Sequence, residues 1–143
     1  MFDYKKARKN MVDNLIRPAN VTDPKLLSAL GDVQRDKFLP SNLASLSYGE
    51  TELLIQNDRT SMSPWLLAKM LQFLDLNSSD NVLSLASGYG YSCALMSSLA
   101  NFVVAVETQD LAQEAQARLI GTGSLYLGGP SGSSSNYLVV FTG

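Results

Sequence analysis

Val82-Leu83-Ser84-Leu85-Ala86-Ser87-Gly88-Tyr89-Gly90-Tyr91, followed by Phe102-Val103-Val104-Ala105-Val106-Glu107, decides the fold of this chain. The first run reads as a strand, a glycine turn and the start of a helix; the second reads as another strand that closes in an acid. A glycine pair directly after a strand lets the backbone pass close to a ligand. An acid at the end of the next strand can accept hydrogen bonds from both hydroxyls of a ribose. Gly88 and Glu107 are 19 residues apart, close to the roughly 20 of nucleotide-binding units. Two readings follow. In one, Ala86, Ser87, Gly88, Tyr89 and Gly90 hold an adenosine-type cofactor together with Glu107. In the other, the glycines only make the turn and Glu107 is a solvated strand end, since one fold serves many functions.

From Asn81 onward β and α segments alternate, which predicts an α/β fold with a mostly parallel sheet and helices on its faces. Strands are expected near 81–86, 102–106, 124–127 and 137–141, joined by helices near 91–100 and 109–119. Ligands of such sheets sit at the carboxyl ends of the strands, where the 86–90 turn and Glu107 both fall. The connection 128–135 is rich in glycine and serine and reads as a flexible linker. No Lys-Ser or Lys-Thr follows its glycines, so it is not a phosphate loop.

Ahead of this core the chain reads as short helices. One covers residues 3–16 and stops before Pro18; another opens at Asp23 as N-cap with Pro24 at its first position, and places Leu26, Leu27 and Leu30 on one face. Residues 50–56 read as extended. Ser63 and Pro64 cap a longer helix in which Leu66, Leu67, Met70, Leu71 and Leu74 form a stripe read as core packing. The organisation expected is a single domain over 1–143, with a helical region at 1–48 and the α/β core at 49–143.

Composition narrows the function. A chain of 143 residues, 45% hydrophobic and 17% charged, has the size and balance of one soluble globular domain. No apolar run approaches the roughly 20 residues of a membrane span, and the N-terminus lacks the h-region of a signal peptide. No membrane partner is expected, and the cytoplasm is the default location. Cys93 is the only cysteine and histidine is absent, which argues against an intramolecular disulfide, a metal site and histidine-based catalysis. Residues 1–40 carry a net +3 and residues 41–143 a net −5. The basic cluster Lys5, Lys6, Arg8 and Lys9 is interrupted by Asp3 and Asp13 and backed by Phe2, Met11 and Leu15, so a solvated helix face is expected and no nucleic-acid partner.

The N-terminal run carries a resemblance. Met11-Val12-Asp13-Asn14, Ile16-Arg17, Val21-Thr22-Asp23, Leu26-Leu27-Ser28-Ala29, Val33, Arg35, Phe38-Leu39-Pro40 and residues 44–48 resemble, in order and spacing, the start of the protein-L-isoaspartate O-methyltransferases. The resemblance covers residues 7–119 and implies a class I methyltransferase (Rossmann-like) fold. It implies S-adenosylmethionine as cofactor and isoaspartyl-containing proteins or peptides as partners, methylated on the abnormal α-carboxyl as the first step of repair.

Against the family pattern the cofactor loop has Ser84 in place of an acid and Ala86 in place of the first glycine, while Gly88, Gly90 and the ribose-binding acid, Glu107, match. Where that position requires positive φ, alanine is strained by about 1 kcal/mol. In the loop Asp58-Arg59-Thr60-Ser61-Met62-Ser63-Pro64, Thr60 and Pro64 match, but Met62 stands where the family has serine. Thr60, Ser61 and Ser63 are the candidate catalytic hydroxyls; read structurally, they are loop and capping groups, Ser63 being an N-cap. Such chemistry needs no general base, because a carboxylate is already nucleophilic and the sulfonium methyl already activated.

The run Tyr137-Leu138-Val139-Val140-Phe141 resembles a strand after which the family fold continues, so a chain truncated before the last strands is expected. Its apolar edge would be open to homo-oligomerisation. Three functions are thereby in play. The first is the isoaspartyl methyltransferase. The second is a non-catalytic interaction or oligomerising module on a methyltransferase fold. The third, a nicotinamide dehydrogenase, fails where Cys93 occupies the third glycine of the dinucleotide pattern. Cys93 is read as a small buried residue, and Trp65 as packing beside Leu66.

Overall fold

The computed structural model describes residues 1–56 and 58–119, together with the backbone of 136–142. The strand expected near 124–127 and the linker 128–135 lie outside the described residues. The chain forms two compact units, Met1–Asp75 and Leu76–Gly143.

In the first unit α1 (Tyr4–Met11) starts at Asp3, whose carboxylate accepts the Lys6 amide at 2.9 Å. It runs on through a π-helical turn, Val12–Ile16, and a 3-10 turn, Arg17–Ala19, and ends at Asn20 with φ 63°. The helix thus passes the point at which Pro18 was expected to stop it. Proline is tolerated there because it sits in the first positions of a new, tighter turn, whose amides need no partner. Met11 and Ile16 are buried, while Lys9, Asp13 and Arg17 form an exposed ladder of ion pairs at 2.5 and 3.5 Å. Lys5, Lys6 and Lys9 are exposed as a solvated face requires, but Arg8 is half-buried and donates to the Gly31 carbonyl at 2.7 Å and the Tyr48 hydroxyl at 3.2 Å.

Helix α2 (Pro24–Asp32) opens as its sequence predicts. Asp23 accepts the Lys25 amide at 2.9 Å, and Leu26, Leu27, Ala29 and Leu30 are buried. Two 3-10 turns, Arg35–Phe38 and Ser41–Leu46, lead to a hairpin of β1 (Leu53–Gln56) and β2 (Arg59–Ser61). The pairing is antiparallel, with a bulge between Leu54 and Gln56. Helix α3 (Pro64–Leu74) follows. Its Gln72 accepts the amides of Thr22 and Asp23 at 2.7 and 3.1 Å and donates to the Asn20 carbonyl at 2.9 Å, tying down the chain before α2.

The apolar stripe of α3 is only partly core. Leu67, Ala68 and Leu71 are buried, whereas Leu66, Met70 and Leu74 are exposed, and Phe73 is 92% exposed. Apolar residues cover too much of this helix for one neighbour to bury them all. Trp65, in the first turn, is also partly exposed.

In the second unit β3 (Asn81–Leu85) pairs in parallel with β4 (Phe102–Thr108) through α4 (Tyr91–Ser97), the expected βαβ unit. Helix α5 (Gln109–Leu119) follows, and β5 (Asn136–Thr142) lies antiparallel to β4, with Glu107 opposite Tyr137. The order β3-β4-β5 leaves β3 and β5 at the edges among the described residues. Register places Val82 and Ser84 beside Val103 and Ala105, on the face that also carries Glu107. Val103, Ala105 and Glu107 are buried where α4 and α5 pack on β4. On the opposite face Leu83 and Leu85 are 64% and 68% exposed.

Candidate functional site

The glycine turn between β3 and α4 is built from backbone signs. Ala86, Gly88 and Gly90 all have positive φ, at 58°, 61° and 95°, so every second residue takes the left-handed conformation that reverses the chain tightly. The Ala86 amide donates to the Val106 carbonyl at 2.9 Å, extending the β3–β4 ladder by one rung. Positive φ at Ala86 meets the condition under which alanine was expected to be strained. Gly90 is required twice, by its φ and because a Cβ there would lie 2.7 Å from Cδ1 of Leu119 and 3.4 Å from Cβ of Ala115. Helix α5 therefore closes directly over the turn.

Glu107 is 4% exposed, and its carboxylate accepts the Gly88 amide at 2.8 Å and the Thr108 amide at 2.8 Å. The acid at the end of β4 is thus brought to the glycine turn as the spacing predicts, and it does more than wait for a ribose: it pins the turn. Each of its two carboxylate oxygens is thus held by a backbone amide of the turn or the strand end. It is not a solvated strand end. The residues 86–90 and Glu107 together fit an adenosine-type group, with backbone at the turn and an anion beside it.

Residues that the sequence reading gave no role support the turn. The Arg118 guanidinium lies 4.1 Å from the centroid of the Tyr89 ring and pairs with Glu114 one helical turn away. Burial, with the Glu114 carboxylate nearby, pushes the Tyr89 phenol up, and Arg118 opposes this. Cys93 is fully buried, and burial pushes its thiol up, an effect that the nearby hydroxyls of Ser84, Ser87 and Ser92 oppose. It is a packed thiol beneath the turn, as its sequence position suggests.

In the first unit the segment from β2 into α3 carries the candidate hydroxyls, Thr60 and Ser61 in the strand and Ser63 just before the helix. Thr60 is exposed, Ser61 is half-buried and Ser63 is buried. Strand alternation puts Thr60 on the face opposite Ser61. Ser63 occupies the N-cap position, but its side chain makes no capping hydrogen bond; its carbonyl accepts the Leu67 amide at 3.1 Å. Capping therefore does not account for the Ser63 hydroxyl as expected. The Met62 carbonyl is held at 2.8 Å by Nη2 of Arg35, a residue that entered the sequence reading only as part of a resemblance. Its one visible signal was its place, with Lys37, in the short run between Leu30 and Phe38-Leu39.

Comparison with known proteins agrees with this geometry. The family model for Protein-L-isoaspartate(D-aspartate) O-methyltransferase matches residues 6–127. A protein-L-isoaspartate O-methyltransferase of Herpetosiphon aurantiacus is 34% identical over 121 residues, 84% of this chain and 54% of that protein. One from Rhodopseudomonas palustris is 32% identical over 146 residues, 95% of this chain and 60% of that protein. The chain thus spans about half the length of the curated relatives it matches. Two solved structures share the fold. A protein-L-isoaspartate O-methyltransferase superposes with a TM-score of 0.68 at 24% identity, covering 81% of this chain and 39% of the other. A putative one from Plasmodium falciparum, in complex with S-adenosyl-L-homocysteine, gives 0.67 at 18% identity, covering 85% and 57%. The fold is that of the class I methyltransferases, and by its matching residues the chain belongs to the protein-L-isoaspartate(D-aspartate) O-methyltransferase family.

Proposed function

We propose that this chain takes part in S-adenosylmethionine-dependent methyl transfer to the α-carboxyl of L-isoaspartyl residues in damaged proteins, a protein-repair reaction of the cytoplasm. The observation that carries the reading is the Glu107–Gly88 hydrogen bond at 2.8 Å, which joins the acid closing β4 to the glycine turn where the resemblance implies the cofactor. The relatives that are protein-L-isoaspartate O-methyltransferases support the acceptor, and the complex of the Plasmodium falciparum protein with S-adenosyl-L-homocysteine supports the cofactor.

In this reading Ala86, Ser87, Gly88, Tyr89, Gly90 and Glu107 hold the cofactor, which supplies a methyl group already activated as a sulfonium. An isoaspartyl carboxyl is ionised at neutral pH, so the protein need not remove a proton from it. The chain's task is alignment. Thr60, Ser61 and Ser63 are the hydroxyls available to orient the acceptor carboxylate. Isoaspartyl-containing proteins or peptides are the partners. Among the described residues no helix is long and apolar enough to cross a membrane.

Incubation with a methyl-labelled cofactor and a matched pair of peptides, one isoaspartyl and one aspartyl, tests this directly. Base-labile label in the isoaspartyl peptide alone supports the reading; equal label in both, or none, contradicts it. The positive φ at Ala86 and methionine at position 62 favour a second reading, a non-catalytic module on the same fold. That module would bind the cofactor or a partner without turnover.

A further inference from the structure

Among the described residues Arg35 is the largest fully buried side chain, 1% exposed, and Leu30, Phe38 and Leu39, close to it in sequence, are buried as well. Burying a cation costs several kcal/mol, and an apolar residue of the same volume would often stabilise a core as well or better. The guanidinium is used here for its shape. Its Nε donates to the Ser47 carbonyl at 2.7 Å and its Nη2 donates to the Met62 carbonyl at 2.8 Å. Those carbonyls lie 12 and 27 residues along the chain.

One of the two anchors is itself rigid. Ser47 is 1% exposed, and its hydroxyl donates to the Ala44 carbonyl at 2.7 Å, closing the 3-10 turn Ser41–Leu46. The other anchor is the middle of the loop that bears Thr60, Ser61 and Ser63. A planar fork with diverging N–H groups can hold two carbonyls from separate segments in fixed directions, whereas a lysine ammonium is a point charge on a flexible stem. Fixing the Met62 carbonyl fixes the peptide plane between Met62 and Ser63, and with it the directions in which Ser61, Met62 and Ser63 present their side chains.

We propose that Arg35 is the positioning residue of the acceptor loop: it sets the backbone of residues 61–63 from beneath. The meaning of the loop rests on the methyl-transfer reading; the clamp itself does not. Arg35→Lys keeps the charge and loses the fork. Amide hydrogen exchange of wild type and Arg35→Lys, with the emission of the single tryptophan, Trp65, two residues beyond the loop's Ser63, reads the loop without any need for turnover.

The expected result is that amides of residues 59–63 exchange about tenfold faster in Arg35→Lys while those of α1 and α2 do not change. Trp65 emission shifts, and the affinity for S-adenosylhomocysteine, a matter of the other unit, stays within about twofold. Where methyl transfer is measurable, its kcat falls at saturating cofactor. Unchanged exchange at 59–63 overturns the proposal, and so does uniform acceleration through the whole first unit, the mark of an ordinary core residue. If Arg35→Lys fails to fold, the wild type decides: a slowly exchanging Arg35 Nε–H coupled through its hydrogen bond to the Ser47 carbonyl, and an Nη–H so coupled to Met62, are expected. A rapidly exchanging, uncoupled guanidinium overturns the clamp. A failed methylation assay would leave these exchange results untouched, so the two ideas fall separately.

Discussion

Glu107 holds the amide of Gly88 at 2.8 Å across 19 residues of chain. The bond closes a ring that contains the turn, α4 and β4. It joins the carboxyl ends of β3 and β4 at the point where sheets of this kind take their ligands. The turn is thereby shaped by the chain itself, which would lower the ordering cost of binding a ligand there.

Ala86→Gly should stabilise the protein. Ala86 sits at φ 58°, a conformation that costs an L-residue about 1–2 kcal/mol, from which the greater freedom of glycine in the unfolded chain takes back part. A net gain of about 0.5–1 kcal/mol is expected in urea unfolding, with tighter binding of S-adenosylhomocysteine. A loss of stability would mean that Ala86 is not held in this conformation.

Gly90→Ala should do the reverse. The new methyl would meet Leu119 at 2.7 Å, and φ is 95°. The Leu119 side chain can yield, but the backbone cannot, so a loss of about 1–3 kcal/mol is expected. Unchanged unfolding would show that α5 does not close over the turn.

Met62→Ser places a hydroxyl where the family resemblance implies a serine. Isoaspartyl methylation is expected to rise, on the order of tenfold or more, because alignment is most of what the protein contributes. Cofactor affinity should be unaffected. Equal rates for both proteins would show that the residue at 62 does not face the acceptor.

Tyr48 sets an alkaline limit on the first unit. Burial, then its hydrogen bond to Asp36, pushes its phenol from 10.0 up to about 12, against the opposing effect of Arg8 at 3.2 Å. A raised folded-state value favours the neutral form, so this contribution is complete below pH ~10 and is lost as pH rises to ~12. Tyr48→Phe should be less stable at pH 8 and should show a shallower decline of its urea midpoint across that window. Parallel declines in the two proteins would contradict the assignment.

The parts of the fold set by local chemistry were legible in the sequence. Asp23 with Pro24 gave the start of α2, and strand-turn-helix-strand periodicity gave β3, α4 and β4. The spacing of Gly88 and Glu107 gave their meeting, and the strain at Ala86 followed from a missing glycine. The rest depends on which neighbour a residue finds. Leu66 and Leu67 look alike in sequence, yet only Leu67 has a partner in the core of its unit. The antiparallel direction of β5 is not written in Tyr137-Leu138-Val139-Val140-Phe141, because an apolar run pairs either way and the 120–135 connection is long enough for both. Arg35 is the clearest case. A cation beside Asp36 and Lys37 reads as surface until the distant carbonyls of Ser47 and Met62 are in place around it.

The central claim is that the 86–90 turn and Glu107 bind the cofactor, and titration calorimetry with S-adenosylhomocysteine tests it most directly, on wild type, Glu107→Gln and Glu107→Ala. With all three proteins shown to unfold cooperatively, wild type should bind with a Kd on the order of micromolar. Glu107→Ala should weaken binding at least about tenfold, and Glu107→Gln, which keeps an acceptor for the Gly88 amide, by less. A folded wild type that does not bind, or binding that Glu107→Ala leaves unchanged, would contradict the account.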